Sequence, residues 1–129
     1  MRTTIMRAAL AACAILTAGA SLGQTMPAKV ADTSKGKALV DAKGMTLYWF
    51  DRDTTAGKSA CNGPCAASWP AFAAGMNAKD EGKWTVITRD DGAKQWAYGG
   101  KPLYTWSKDG KPGDATGDGF NGLWHVATP

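Results

Sequence analysis

The sequence predicts a mainly β protein: a small antiparallel β domain made of two related halves, with at most one short helix. Three observations support this prediction. Short runs of β-branched and aromatic residues alternate with turn residues, as they do in hairpins. Gly and Pro recur too often for a long helix. One motif also occurs twice, as "LYWFDRD" at residues 47–53 and as "LYTWSKD" at residues 103–109.

The first 23 residues have the layout of a secretory signal peptide. Arg2 and Arg7 precede a short apolar run at residues 8–18, and small residues follow it. This run is shorter than the about 20 residues that a membrane-spanning helix needs. We therefore predict that residues 1–23 are cleaved, that the mature chain keeps no transmembrane segment, and that the protein is periplasmic or secreted. Cys13 in "LAAC" resembles a lipidation site, but the apolar run continues past it, so we assign it to the discarded peptide.

The charge balance argues against one broad class of function. The chain has 15 Lys and Arg against 11 Asp and Glu, and loss of Arg2 and Arg7 leaves 13 against 11. These charges are dispersed and form no basic run, so the charge pattern does not predict nucleic-acid binding. The about 106 residues that remain are enough to bury about two thirds of the extended-chain surface.

The remaining chain is divided into short strands. Residues 24–36 are polar and show no period, which predicts a mobile N-terminal arm before a single β domain at residues 37–129. The segment "GPCAASWPAF" is the one place for a helical turn, because Pro64 suits a first helical position and Pro70 would stop the helix. Strands separated by turns are predicted at residues 37–41, 45–50, 84–89, 94–98 and 102–106.

The duplicated motif divides the domain into halves at about residues 37–72 and 93–129. On a strand, the tyrosine and the aromatic residue two positions later share one face, and the aspartate falls beyond the strand, where it can fix a turn. We interpret the motif as one packing unit used twice in a pseudo-twofold arrangement; the alternative is a pair of sugar-binding or metal-lined sites. The motif residues are Tyr48, Phe50, Asp53, Tyr104, Trp106 and Asp109.

These features resemble a bacterial secreted-repeat family of predicted lipoproteins with a Tyr-x-aromatic-x-x-Asp motif. The resemblance covers residues 36–129 and includes both motif copies, "CNGPCAASWP" and the closing "GDGFNGLWHVATP". It implies export, often with lipid attachment, and it implies no specific activity.

Cys61 and Cys65 form an even pair in a chain predicted to be exported, which indicates a structural disulfide. Closing so short a loop contributes about 2 kcal/mol. A redox dithiol is less favoured, because catalytic pairs have the Cys-x-x-Cys spacing near a βαβ unit. Metal binding by the two thiolates would need two further ligands.

A metal site is the competing hypothesis. His125 is the only histidine, and it could bind copper together with Met45, Met76 or Asp118, since copper favours imidazole and thioether ligands. Asp114 and Asp118 lie in "DGKPGDATGDGFNG", which matches part of an EF-hand loop but lacks its glutamate and flanking helices. Weak binding of a divalent ion by oxygen ligands stays open.

The aromatic content favours a binding function. Six tryptophans cannot all be fully buried in so small a domain, and exposed rings favour a face that binds a glycan or a protein. The sequence has no nucleophile elbow, and carboxylate pairs such as Asp51 with Asp53 carry little information by spacing alone. We therefore predict an exported, non-catalytic envelope module without a cofactor. A periplasmic copper or thiol redox protein is the alternative.

Overall fold

The computed structural model describes residues 26–129, and this part of the chain is mainly antiparallel β structure, as predicted. The predicted signal peptide, residues 1–23, lies outside the described residues, as does Cys13. Within residues 26–129 no helix is long and apolar enough to cross a membrane. The elements are β1 (Lys29–Thr33), β2 (Gly36–Val40), β3 (Tyr48–Phe50), α1 (Pro64–Ser68), β4 (Trp84–Thr88), β5 (Lys94–Tyr98), β6 (Lys101–Pro102), a 3₁₀ turn (Phe120–Gly122) and β7 (Trp124–Val126).

Each half begins with an antiparallel hairpin. Strand β1 pairs with β2, and β4 pairs with β5, over five residue pairs in each case. Gly36 and Gly92 adopt φ angles of 94° and 89° at the two turns, a region that residues with a Cβ rarely enter. The chain then turns back along β2, since the amide of Leu47 donates to the carbonyl of Leu39 at 2.9 Å.

Residues 24–36 were predicted to form a mobile arm. In the structure, residues 29–33 within this segment form strand β1. The backbone amide of Ser34 also donates to the carbonyl of Gly113 at 3.0 Å, which ties the hairpin to the other half. The side chains of β1 are mostly exposed, so its sequence shows no apolar alternation, and its backbone ladder to β2 holds it instead. The halves therefore begin at residues 29 and 84 rather than at the predicted 37 and 93.

The two halves exchange their closing segments. Strand β3 of the first half pairs with β7 of the second half over three residue pairs. The equivalent segment of the second half, around Tyr104, pairs with the closing segment of the first half. The amide of Thr105 donates to the carbonyl of Pro70 at 2.9 Å. The amide of Phe72 donates to the carbonyl of Leu103 at 2.8 Å. The strand that carries each motif tyrosine is thus completed by the other half.

The extended segments that carry Tyr48 and Tyr104, here called the tyrosine strands, meet at the centre of the domain. The amide of Tyr48 donates to the carbonyl of Tyr104 at 2.8 Å, and the amide of Tyr104 donates back to the carbonyl of Tyr48 at 2.9 Å. This reciprocal pair of bonds is what a local twofold axis requires. The contact relates the two halves as the duplicated motif predicts.

Helix α1 occupies the predicted helical segment. Pro64 lies in its first turn, where the missing amide hydrogen would have had no helical partner. The amide of Trp69 donates to the carbonyl of Cys65 at 2.8 Å, and Pro70 follows. The helix therefore ends just before Trp69, whose side chain packs in the core.

Two clusters of buried side chains form the core, one on each face of the tyrosine strands. Alternation along residues 47–50 explains this division, because Tyr48 and Phe50 face one cluster while Leu47 faces the other. The first cluster consists of Tyr48, Phe50, Cys61, Trp69, Tyr104, Trp106 and Trp124. The second consists of Leu39, Leu47, Trp84, Leu103 and Ala127.

Candidate functional site

Each motif tyrosine donates its hydroxyl to the aspartate of the other half. Tyr48 donates to Oδ2 of Asp109 at 2.6 Å, and Tyr104 donates to Oδ2 of Asp53 at 2.6 Å. Both tyrosines are fully buried. Burial, and then the hydrogen bond to the carboxylate, raises the pKa of both phenols. Both rings therefore stay neutral and act as hydrogen-bond donors.

Each aspartate also holds the loop that follows its own strand. Oδ1 of Asp53 accepts the amide of Ala60 at 2.6 Å. Oδ1 of Asp109 accepts the amide of Thr116 at 3.0 Å and its hydroxyl at 2.6 Å. The partner amide lies seven residues after the aspartate in both halves. Two contacts therefore account for the motif spacing. The tyrosine bonds to the aspartate of the other half, and the aspartate bonds to a backbone amide of its own loop.

The second aromatic residue of each motif stacks on the closing tryptophan of the other half. Phe50 stacks on Trp124 with ring centroids 4.1 Å apart, and Trp106 stacks on Trp69 at 4.0 Å. Trp69 and Trp124 stack on each other at 3.8 Å, so the four rings form one continuous column. Each such pair is worth about 0.5–1.5 kcal/mol beyond the burial of its surface. All six motif residues thus make contacts within the domain: the tyrosines and aspartates bond to each other across the halves, and Phe50 and Trp106 stack on the closing tryptophans.

Cys61 and Cys65 form the disulfide that the sequence predicts, with their Cα atoms 5.2 Å apart. Arg89 anchors this loop from within: its buried guanidinium donates to Oγ of Ser59 at 2.9 Å, to Oε1 of Gln95 at 2.7 Å, and to the carbonyl of Cys61. Sequence patterns do not single out Arg89, because an arginine at the end of a hairpin strand has the sequence signature of an ordinary surface charge.

The predicted metal ligands have partners in separate places. Nε2 of His125 lies 3.0 Å from Oδ2 of Asp51. Lys111 pairs with Asp114 at 2.9 Å, and this contact lowers the pKa of the carboxyl. Oδ1 of Asp118 accepts a backbone amide at 3.1 Å. No group of three or more His, Cys, Asp or Glu side chains placed to hold a metal ion occurs within residues 26–129. The copper hypothesis stays a prediction for His125, Asp114, Asp118 and Met45.

A surface pocket of ≈ 340 Å³ lies beside β3 and the hairpin β4–β5. Its base contains Leu103 and Ala127, which are buried. The partly exposed rings of Trp49 and Tyr98 and the exposed side chains of two lysines line its walls. We call it the aromatic–lysine pocket and define it by Trp49, Lys83, Tyr98, Lys101, Leu103 and Ala127.

Each aromatic ring of this pocket has a lysine above it. Nζ of Lys101 lies 4.5 Å from the ring centroid of Trp49, and Nζ of Lys83 lies 5.8 Å from that of Tyr98. His125 also stacks against Trp49, with ring centroids 4.4 Å apart. Neither lysine forms an ion pair with a carboxylate of the described chain. Two ammonium groups are therefore available beside two aromatic rings.

The equivalent place in the other half has different chemistry. The motif offset of 56 residues makes Thr105 the counterpart of Trp49, and the hairpin registers make Asp41 the counterpart of Tyr98. These residues line a second surface pocket of ≈ 300 Å³ together with Lys43. We call it the counterpart pocket. The same scaffold therefore tolerates a threonine and an aspartate where the aromatic–lysine pocket has exposed rings.

The comparison with known families identifies the repeat. A family model (Lipoprotein_15) described as a secreted repeat of unknown function matches residues 29–73 and again residues 85–128. The chain belongs to this family. The resemblance inferred from the motifs is thereby confirmed, and each secreted repeat begins within a hairpin and ends just after a closing segment. No curated protein and no solved structure matches the chain.

Proposed function

We propose that this secreted-repeat protein is an exported, non-catalytic binding module of the cell envelope, periplasmic or outside the cell, whose ligand is a glycan. The description of the family as secreted supports export. The ligand would bind at the aromatic–lysine pocket, where partly exposed aromatic rings offer an apolar surface to a sugar ring.

One observation carries the ligand proposal: the scaffold occurs twice, and only one copy has these rings at the surface. Trp49 and Tyr98 are replaced by Thr105 and Asp41 in the counterpart pocket. The duplicated scaffold forms with either set, although Trp49 and Tyr98 also pack against the second core cluster. Their partly exposed rings, which the other half lacks, favour a function at the surface.

The proposal of a non-catalytic role rests on how the carboxylates are used. Asp53 and Asp109 are both bonded to a tyrosine hydroxyl and to a loop amide, so neither is free to act as an acid or base. Among residues 26–129, no Asp, Glu, His or Cys side chain lines the aromatic–lysine pocket. The thiols of Cys61 and Cys65 are joined in a disulfide.

Binding to envelope polysaccharides tests the proposal. The wild-type protein should be retarded in gels that contain a glycan ligand, and Trp49→Ala should weaken binding about tenfold, which corresponds to about 1.4 kcal/mol. Thr105→Ala in the counterpart pocket is the matched control and should bind like the wild type. Retention of full affinity by Trp49→Ala, or binding of an envelope protein in place of any glycan, would contradict the proposal.

A further inference from the structure

We infer that the glycan is acidic and that Lys83 and Lys101 bind its acid groups; this inference rests on the proposed function and names the ligand class. Of the eleven lysines in residues 26–129, three pair with an aspartate, namely Lys37, Lys58 and Lys111. Lys83 and Lys101 are unpaired within this range and lie together beside aromatic rings, and none of the described residues that line the pocket is an Asp or a Glu.

The position of Lys101 indicates how an acidic sugar would be selected. The ring of Trp49 already contacts His125 at 4.4 Å and the ammonium of Lys101 at 4.5 Å. A sugar that stacks on this ring from the side of Lys101 must first displace the ammonium. The contact between an ammonium and a partly exposed ring is worth only about 0.5–1 kcal/mol, and a carboxylate offers the displaced ammonium a charge-assisted hydrogen bond in its place.

An acid group on the sugar compensates for this displacement. It draws Lys101 from the ring to itself, and the sugar ring takes the place of the ammonium on Trp49. A neutral sugar would displace Lys101 without offering it a partner. Lys83, beside Tyr98, supplies a second positive charge for the same ligand. The pocket therefore favours an acidic sugar over a neutral one at the same ring, that of Trp49, on which the sugar stacks.

The counterpart pocket should not bind the same ligand. Asp41 stands where the aromatic–lysine pocket has Tyr98, and its carboxylate accepts the backbone amides of Lys43 and Met45 at 2.9 Å each. A negative charge at this place repels an acidic sugar. One molecule of protein should therefore bind an acidic glycan at one site, although the scaffold is duplicated.

The test compares matched ligands that differ only in charge. Oligogalacturonate and oligoglucuronate, each as the free acid and as the methyl ester, are titrated calorimetrically into the full-length protein. The acids should bind at one site, at least tenfold tighter than their esters, and the acid should lose most of its advantage between about 0.1 M and about 1 M salt. The double variant Lys83→Met/Lys101→Met should lose this tenfold preference. Lys43→Met in the counterpart pocket should keep it.

Different outcomes would overturn the acidic ligand alone or glycan binding as a whole. Equal affinity for acid and ester, lost in Trp49→Ala, would overturn the acidic ligand and keep glycan binding. Failure of all four oligosaccharides to bind, or binding of poly-glutamate as tightly as the acids, would overturn both. Melting temperatures of the lysine variants should equal that of the wild type, because both side chains are exposed, and this excludes misfolding as the cause of any loss.

Discussion

Tyr48 and Tyr104 occupy equivalent places in the two halves, and each donates to the aspartate of the other half at 2.6 Å. Trp49 and Thr105 are the next residues along the chain and are equally equivalent, yet they share neither size nor polarity. The contrast separates two kinds of position on one scaffold. Side chains that face the central column keep the same contacts in both halves, whereas the partly exposed side chains on the opposite side of the strand differ with the surface that each half presents.

The loops after the tyrosine strands show a second contrast. In the first half, Cys61 enters a disulfide and Arg89 binds the loop from within. In the second half the equivalent residue is Gly117, whose amide donates to the hydroxyl of Tyr48 at 3.2 Å. One half therefore holds its loop with a covalent bond and a buried cation, and the other with close backbone packing.

Removal of either central tryptophan should have the largest effect. Trp69→Ala and Trp124→Ala should each lower the free energy of unfolding by about 3–5 kcal/mol, because each ring stacks on two others and its loss leaves a cavity. Urea unfolding followed by circular dichroism measures both losses. Equal losses would support equivalent halves, and a difference above about 2 kcal/mol would break the equivalence.

Gly117 sharpens the contrast between the loops. A Cβ at this position would lie 2.6 Å from Cη2 of Trp69 and 3.0 Å from Cγ of Trp106, so Gly117→Ala should cost about 1–3 kcal/mol. Gly75→Ala is the matched control, since no atom lies within 4 Å of its Cβ position and the change should stay within about 0.5 kcal/mol. Equal melting temperatures for the two variants would show that the second loop is not closely packed.

The smallest effect concerns the pH dependence of the first half. Burial raises the pKa of Asp53 above its ordinary value of 3.8, although bonds from Tyr104 and Ala60 act in the opposite direction. The folded state therefore binds this proton more tightly than the unfolded state, so the stability contributed by Asp53 increases as the pH falls through its folded-state pKa.

The variant Asp53→Asn removes this titration. The stability of the wild type relative to Asp53→Asn should therefore increase as the pH falls from about 7 to about 4. Chemical denaturation of both proteins across that range measures the difference. A constant difference would show that the hydrogen bonds of Asp53 cancel the effect of its desolvation, and a decreasing difference would show that they outweigh it.

Local patterns were sufficient to predict the fold class, the segment of α1 and the pairing of Cys61 with Cys65. Each of these predictions depends on residues that are close together in the sequence, such as turn residues, or on the export that the first 23 residues predict. Strand β1 was missed for a physical reason. Its side chains are mostly exposed, and its place is determined by backbone bonds to β2 that composition does not record.

The exchange between the halves could not be predicted from the motif. Asp53 and Tyr104 are 51 residues apart, and nothing in either copy indicates that the tyrosine of one serves the aspartate of the other. The aromatic–lysine pocket is similarly built from Trp49 and the distant Tyr98 and Lys101. One signal was present: the alignment of the two motifs places Trp49 against Thr105, which marks a tryptophan that the repeated unit does not require.

The exchange of closing segments also determines the order in which the molecule can assemble. Strand β3 comes early in the domain, but β7, which completes it, lies almost at the end of the described chain. Contacts so far apart in sequence form slowly, since a long loop must close before they add stability. Because neither half can complete its own sheet, the protein should fold and melt in one cooperative step. A secreted chain that crosses a membrane from its N-terminus would thus leave β3 without its partner β7 until its last residues had arrived.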